Sequence, residues 1–303
     1  MSDTDSLRRF LFESEPLRGH VVKLDSAWRQ LRAHQQYPPE IEVLLGEAAC
    51  ATVLLAATLK FQGSLTLQIT GSGRVRLLVV QCTHDFGVRG VARLRDDVPE
   101  VAVAGRNEDF HALLGEGQVT VSIDTGEGGA PYQGIVPLQG ASLAQCLEQY
   151  FGQSEQLPTR LALRAEGSRA AGLLLQQLPA SAVVSDAQRV QEIWATAGAA
   201  IDRLPPGALL QDDAASLLRV CFANEDVRLF APVRVRFECR CSPERVAGLL
   251  QSLGAAEVRS VLAEQGAVTV TCEFCQRPYR FDAVDVERLF APGAMSDGPT
   301  SIN

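Results

Sequence analysis

Hydrophobic residues recur along this chain with two periods, and the switches between them mark its elements. Residues 1–9 show neither period and read as a loose tail. Residues 21–24 read as a short strand, and Asp25 is a suitable N-cap for a helix over 26–35 with Trp28 and Leu31 on one side. Pro38-Pro39 ends that helix and opens a longer one over 40–60, dense in Ala and Leu, where Gly46, Ala48, Ala49, Cys50 and Ala51 permit close packing. From Ser64 the period becomes two. Residues 64–70 alternate, Gly71-Ser72-Gly73 supplies a turn, and further strands are expected over 75–82, 88–94, 118–124, 132–137, 161–165 and 172–178. A short helix is expected over 110–114, a Gly126–Gly129 turn precedes Tyr132, and Ser142 caps a helix to about Phe151. Strands joined by tight turns predict an α+β fold, a largely antiparallel sheet with helices packed on it.

The pattern changes after residue 178. Residues 186–202 form an amphipathic helix carrying Val190, Ile193, Trp194, Ala197 and Ile201; Pro205-Pro206-Gly207 breaks it, and 213–224 form a second with Leu217, Leu218, Val220, Cys221 and Phe222. A strand over 233–237 then leads into a small cysteine-bearing module. There Ser242-Pro243 opens a helix over 244–253, Gly254 ends it, and 257–265 form another helix. Residues 268–271 and 279–281 read as a hairpin, and Asp282 caps a last helix to Phe290. The expected organisation is a sheet domain over 1–178, a helical linker over 179–231, a cysteine module over 232–290 and a disordered tail over 291–303.

At 303 residues and 46% apolar content the chain can bury a full core plus a smaller unit. Its net charge of −8 disfavours non-specific attraction to nucleic acid or anionic membrane. The cysteine module is no exception, with eight Arg against eight Asp plus Glu over 231–290. The N-terminal residues carry acids where a signal peptide carries bases, and the apolar run 43–59 is interrupted by Glu47 and is rich in Ala, which suits a buried helix. The expectation is a soluble, cytoplasmic protein, in which eight cysteines serve as ligands, core residues or redox sensors rather than structural disulfides.

Four of those cysteines carry the strongest chemical signal. Cys239 and Cys241 form a C-x-C, and Cys272 and Cys275 form a C-x-x-C, together the soft donor set that tetrahedral zinc prefers. Such a site can simply fold a small module. However, each pair can also close into a disulfide without a distant partner, and Arg236, Arg240, Arg277 and Arg280 stand near to offset the two excess negative charges of four thiolates on a dication. Loss of metal would unfold the module, because two very short disulfide loops restore little chain entropy. Cys50, Cys82, Cys146 and Cys221 read as buried core residues, and no nucleophile elbow or phosphate loop occurs. Two alternatives stay open: a thiol-disulfide oxidoreductase using Cys272 and Cys275, and a nucleic-acid-binding zinc module.

With these pairs in the surroundings Cys241-Ser-Pro-Glu-Arg and Cys272-Glu-Phe-Cys275, and with Arg18-Gly-His-Val, Leu44-Leu-Gly-Glu-Ala, Tyr132-Gln-Gly-Ile-Val-Pro-Leu and Ser154-Glu-Gln-Leu-Pro-Thr upstream, the chain resembles the redox-regulated 33-kilodalton heat-shock chaperones of bacteria. The resemblance implies a cytoplasmic, ATP-independent holdase without enzymatic turnover. Its reduced form would hold one zinc on Cys239, Cys241, Cys272 and Cys275 and be inactive. Oxidation would join Cys239 to Cys241 and Cys272 to Cys275, expel zinc, unfold the linker and yield a homodimer that holds unfolding client proteins. The resemblance assigns no client-binding residues.

Overall fold

The computed structural model describes residues 4–98, 106–125, 132–153, 155–179, 187–205 and 207–291. The chain divides into two compact units, Met1–Glu238 and Cys239–Asn303. In the first unit the chain runs β1 (Ser6–Phe12), β2 (Leu17–Leu24), α1 (Ser26–Arg32), α2 (Pro39–Thr58), β3 (Ser64–Gly71), β4 (Val75–Thr83), β5 (Gly87–Leu94) and α3 (Arg106–Leu114). It continues through β6 (Gly117–Asp124), β7 (Tyr132–Pro137), α4 (Leu143–Gln153), β8 (Thr159–Glu166) and β9 (Arg169–Gln177). Three helices follow, α5 (Ala187–Asp202), α6 (Ala208–Gln211) and α7 (Ala214–Cys221), and then short strands β10 (Val227–Leu229), β11 (Val233–Arg234) and β12 (Arg236–Phe237).

The expected largely antiparallel α+β architecture is present, with its strands divided between two sheets. One has the order β10-β1-β2-β9-β8, with β11 also pairing β1; the other has the order β12-β5-β4-β3-β6-β7. Only β12 against β5 is parallel among these pairings. Helix α2 packs against strands of both sheets and is apolar on every side, burying Leu44, Leu45, Cys50, Val53 and Leu54 among others. A helix buried all round loses the one-faced stripe of a surface helix, which explains its membrane-like composition. At Gly46, α2 comes close to β8: a Cβ there would stand 2.5 Å from that of Ala165.

Two local expectations are corrected. Residues 6–9 are not a loose tail but belong to β1, which pairs β2 on one side and β10 and β11 on the other. Those outer partners lie more than two hundred residues away in sequence, so no local pattern announces them. The single strand expected over 233–237 is two short strands, β11 on β1 and β12 on β5. The Gly126–Gly129 turn and the tail from residue 292 lie outside the described residues.

Helices α5 to α7 form a second core with the other face of the first sheet. Ala197, Ile201, Leu209, Leu217, Leu218 and Phe222 meet Phe10, Phe12, Leu17, Val21, Leu173 and Leu175, with Ile193 and Trp194 partly buried at the edge. Asp213 caps α7 by accepting from Ser216 N at 2.9 Å, and Arg189 on α5 pairs with Glu15 at 2.9 Å.

The second unit contains α8 (Pro243–Leu253), α9 (Ala255–Gln265), β13 (Val268–Thr271), β14 (Pro278–Phe281) and α10 (Ala283–Leu289). Gly254 separates α8 from α9 at φ 94°, a conformation that side-chain-bearing residues rarely adopt. Asp282 opens α10 in a capping box, accepting from Val284 N and Asp285 N at 2.9 Å each. Among the described residues its buried apolar cluster is small: Val246, Leu250, Val258, Val268, Tyr279, Phe281 and Val286.

Candidate metal centre

Local chemistry places each sulfur. Ser242 caps α8 by accepting from Arg245 N at 3.3 Å, Pro243 takes the first helical position, and Arg245 Nη1 donates back to the carbonyl of Arg240 at 2.8 Å. These contacts hold Cys239 and Cys241 in the extended stretch before the helix. Antiparallel pairing of β13 with β14 sets the other pair in the hairpin loop. There Cys272 N donates to Arg277 O at 3.0 Å and Gln276 N to Cys272 O at 2.8 Å, with Gln276 at φ 52° completing a tight reversal.

The four sulfurs converge. Cys239 Sγ lies 3.4 Å from Cys241 Sγ and 3.6 Å from Cys272 Sγ, and Cys241 Sγ lies 3.4 Å from Cys275 Sγ. All four ligand atoms fall within 4.8 Å of one another. A tetrahedral ion with metal–sulfur bonds of about 2.3 Å separates its sulfurs by about 3.8 Å, so the set fits such an ion closely. The spacing also exceeds a disulfide bond of about 2.05 Å, and all four are free thiols.

Electrostatics points the same way. Burial raises the Cys239 thiol pKa, and burial followed by hydrogen bonds with the other thiols raises that of Cys275. Burial also opposes ionisation of Cys241, but the Tyr279 hydroxyl and the neighbouring thiols outweigh it and bring that thiol down to about 7. Holding all four sulfurs as thiolates calls for a bound cation. Tyr279 Oη donates to Cys241 Sγ at 3.1 Å, and the Arg277 guanidinium stands 5.5 Å from the centre of the Tyr279 ring. Arg236 is otherwise engaged, with Asp85 at 2.6 Å and Glu238 at 2.5 Å within the first unit. Tyr279 carries no spacing signal in the sequence; its ring is directed by the register of β14 on β13.

The remaining cysteines stand apart from this chemistry. Cys50, Cys82, Cys146 and Cys221 are all buried. Burial raises each of their pKa values, that of Cys82 to about 12 and that of Cys221 to about 11, which leaves poor nucleophiles.

Comparison with known proteins places the whole chain. The family model described as Hsp33 protein matches residues 5–282. The chain belongs to the Hsp33 family. Hsp33 relatives named 33 kDa chaperonin include one from Azotobacter vinelandii, 45% identical over 294 residues and covering 97% of each chain. Another from Pseudomonas paraeruginosa is 43% identical over 99% of each chain, and one from Methylobacillus flagellatus 39% identical over 98% of each. The crystal structure of the 33 kDa chaperonin from Thermotoga maritima shares the fold, with a TM-score of 0.77 at 23% identity, covering 94% of this chain and 97% of that one. Hsp33 membership supports a chaperone, and the four clustered cysteines form a candidate metal site in it.

Proposed function

We propose that this chain is a redox-regulated, ATP-independent holdase that binds unfolding proteins and prevents their aggregation under oxidative and heat stress. The observation that carries the reading is the convergence of Cys239, Cys241, Cys272 and Cys275 in a unit whose buried apolar cluster is small. The reduced, inactive form holds one zinc ion on these four sulfurs. Zinc, when bound, keeps them as thiolates and joins the C-x-C stretch to the hairpin loop.

Thiolates are the form that oxidants attack. Two thiolates give two electrons to an oxidant such as hypochlorous acid, which leaves as chloride and hydroxide while one S–S bond forms. Two such events consume all four ligands. Proximity alone does not select the partners, since Cys239 is as near Cys272 as it is Cys241 to within a few tenths of an ångström. Sequence-adjacent closure, Cys239 with Cys241 and Cys272 with Cys275, is favoured because those pairs remain close once the hairpin and the C-x-C stretch separate.

The consequence for the first unit runs through the backbone. Strands β10, β11 and β12 are three or two residues long and immediately precede Cys239. Strands this short are readily lost when the chain beyond them unfolds. Loss of β10 and β11 frees the outer edge of β1, whose Phe10 and Phe12 hold Phe222 just after α7. Release of α5 to α7 uncovers apolar sheet surface for client proteins and for a second copy of the chain. The reading has the protein in the cytoplasm, without nucleic-acid or membrane partners and without enzymatic turnover.

The test is to oxidise the pure protein with hypochlorite while following free zinc, the disulfide map and aggregation of a heat-unfolded client. Zinc release with suppressed aggregation is expected; retention of zinc, or release without suppression, would sink the reading. Turnover of glutathione disulfide by Cys272 and Cys275 would revive an oxidoreductase instead.

A further inference from the structure

A second site lies wholly within the first unit and involves none of the metal-centre cysteines. Near the C-terminal end of α2 is a cavity of about 260 Å³. Its walls are mostly apolar, with Leu55 from α2, Leu65 from β3, Val121 from β6, and Leu147 and Phe151 from α4. An apolar hollow of this kind is ordinary packing slack unless polar groups are placed in it with a purpose.

Here one cation is so placed. Arg18 on β2 lines the cavity, and its Nε and Nη2 donate to Gln176 Oε1 at 3.1 and 2.7 Å. Gln176, 1% exposed, also lines the cavity and is held by donating to Thr159 Oγ1 at 3.2 Å, so its oxygen is fixed toward Arg18. The acceptor Arg18 has found is therefore neutral. Burial and then the nearby Arg9 both lower the Arg18 pKa, and among the described residues no acid acts on it in the opposite sense. Glu155, the carboxylate lining the cavity, is engaged elsewhere, accepting from Tyr132 Oη at 2.7 Å and Tyr150 Oη at 3.0 Å. A partly buried guanidinium without a counter-charge is costly, and the cost falls when an anion arrives.

We propose that this cavity binds a small amphipathic carboxylate, an aliphatic or aryl-aliphatic acid, with its carboxylate on Arg18 and its apolar body against α2, β3, β6 and α4. A volume just below the usual range for ligand pockets suits a molecule of roughly ten heavy atoms. The guanidinium selects acids over alcohols and amines of the same length, because an ionised partner roughly doubles the strength of each hydrogen bond.

The test uses the full-length, reduced, zinc-loaded chain and three eight-carbon probes below their micellar concentrations: octanoate, 1-octanol and octylammonium. Isothermal titration calorimetry is expected to find one saturable octanoate site, octanol at least tenfold weaker and octylammonium without heat of binding. Arg18→Gln should weaken octanoate at least tenfold and leave octanol unchanged. Ile123→Trp, which fills the cavity from β6, should abolish binding of both. Equal affinity for octanol and octanoate would mean a merely apolar hollow and overturn the proposal. So would octanoate binding without saturation, or binding unaffected by Ile123→Trp. Should Arg18→Gln fail to fold by circular dichroism, the probe comparison and Ile123→Trp decide the matter.

Discussion

The hydroxyl of Tyr279 donates to the sulfur of Cys241 at 3.1 Å, linking β14 to the C-x-C half of the cysteine cluster. A donor aimed at a ligand thiolate stabilises its charge and fixes its orientation, and loss of such a partner typically costs about 10–100-fold in metal affinity. Tyr279→Phe keeps the ring in the small core and removes only this contact. We expect zinc affinity, measured by competition with a chromogenic chelator, to fall about tenfold or more. Hypochlorite should also release zinc faster from the variant than from the parent. Unchanged affinity would show that the contact is incidental.

Metal removal should act on one unit. Among the described residues, seven buried apolar residues form the core of the second unit, whereas the first unit contains two larger clusters. With chelator at neutral pH under reducing conditions, amide hydrogen exchange over residues 268–281 should become fast, while β2 and β9 stay protected. Cys272→Ser or Cys275→Ser should reproduce this pattern without chelator. A hairpin that remains protected would mean that packing alone folds the module.

Phe222 stands at the seam between α5 to α7 and the first sheet. Its ring lies 5.0 Å from that of Phe12, edge-on, and 5.8 Å from that of Phe10. Truncation of a buried Phe costs about 3–5 kcal/mol. Phe222→Ala should therefore loosen α7 and confer aggregation suppression on the reduced, zinc-loaded protein. If the reduced variant shows faster exchange in α7 yet suppresses no aggregation, α5 to α7 do not cover the client-binding surface.

His20 gives the first unit an acid-sensitive element. It is buried in β2 with Nδ1 lacking a hydrogen-bond partner, and burial, then Arg18 and Arg9, depress its pKa from 6.5 to about 4. Between those values the unfolded chain takes up a proton that the folded chain refuses. The neutral side chain thus favours folding above about pH 6.5, and that contribution is lost as pH falls toward 4. Urea unfolding should show about 2 kcal/mol less stability at pH 5 than at pH 7.5 from this residue. His20→Gln should reduce that difference by the same amount.

Several features were legible from residue order because their causes are local. Period-two alternation marked β3, β4, β6 and β7 to within a residue or two, since each strand faces a core on one side. Ser242 and Asp282 marked helix starts because caps act within three residues, whereas Asp25, also expected to cap, makes no side-chain cap bond to α1. The C-x-C and C-x-x-C spacings nominated the four sulfurs, since ligands from one loop must be near in sequence.

Other features follow only from contacts between distant segments. β1 was hidden because β10 and β11, which complete its edge, arrive from the far end of the first unit. Arg236 could be counted as a charge near the cysteines, but its engagement with Asp85 required β12 to pair with β5. The Arg18–Gln176 pair and the Tyr279–Cys241 contact likewise depend on strand register, which residue order does not express. The sequence by itself determined the secondary elements, the α+β class and the identity of four candidate ligands, because propensity, periodicity and donor chemistry are properties of short stretches. Tertiary structure alone decided how the strands divide into two sheets, which hydroxyl meets a candidate ligand sulfur and where a cation is left facing an apolar cavity. Those depend on which distant surfaces exclude water together.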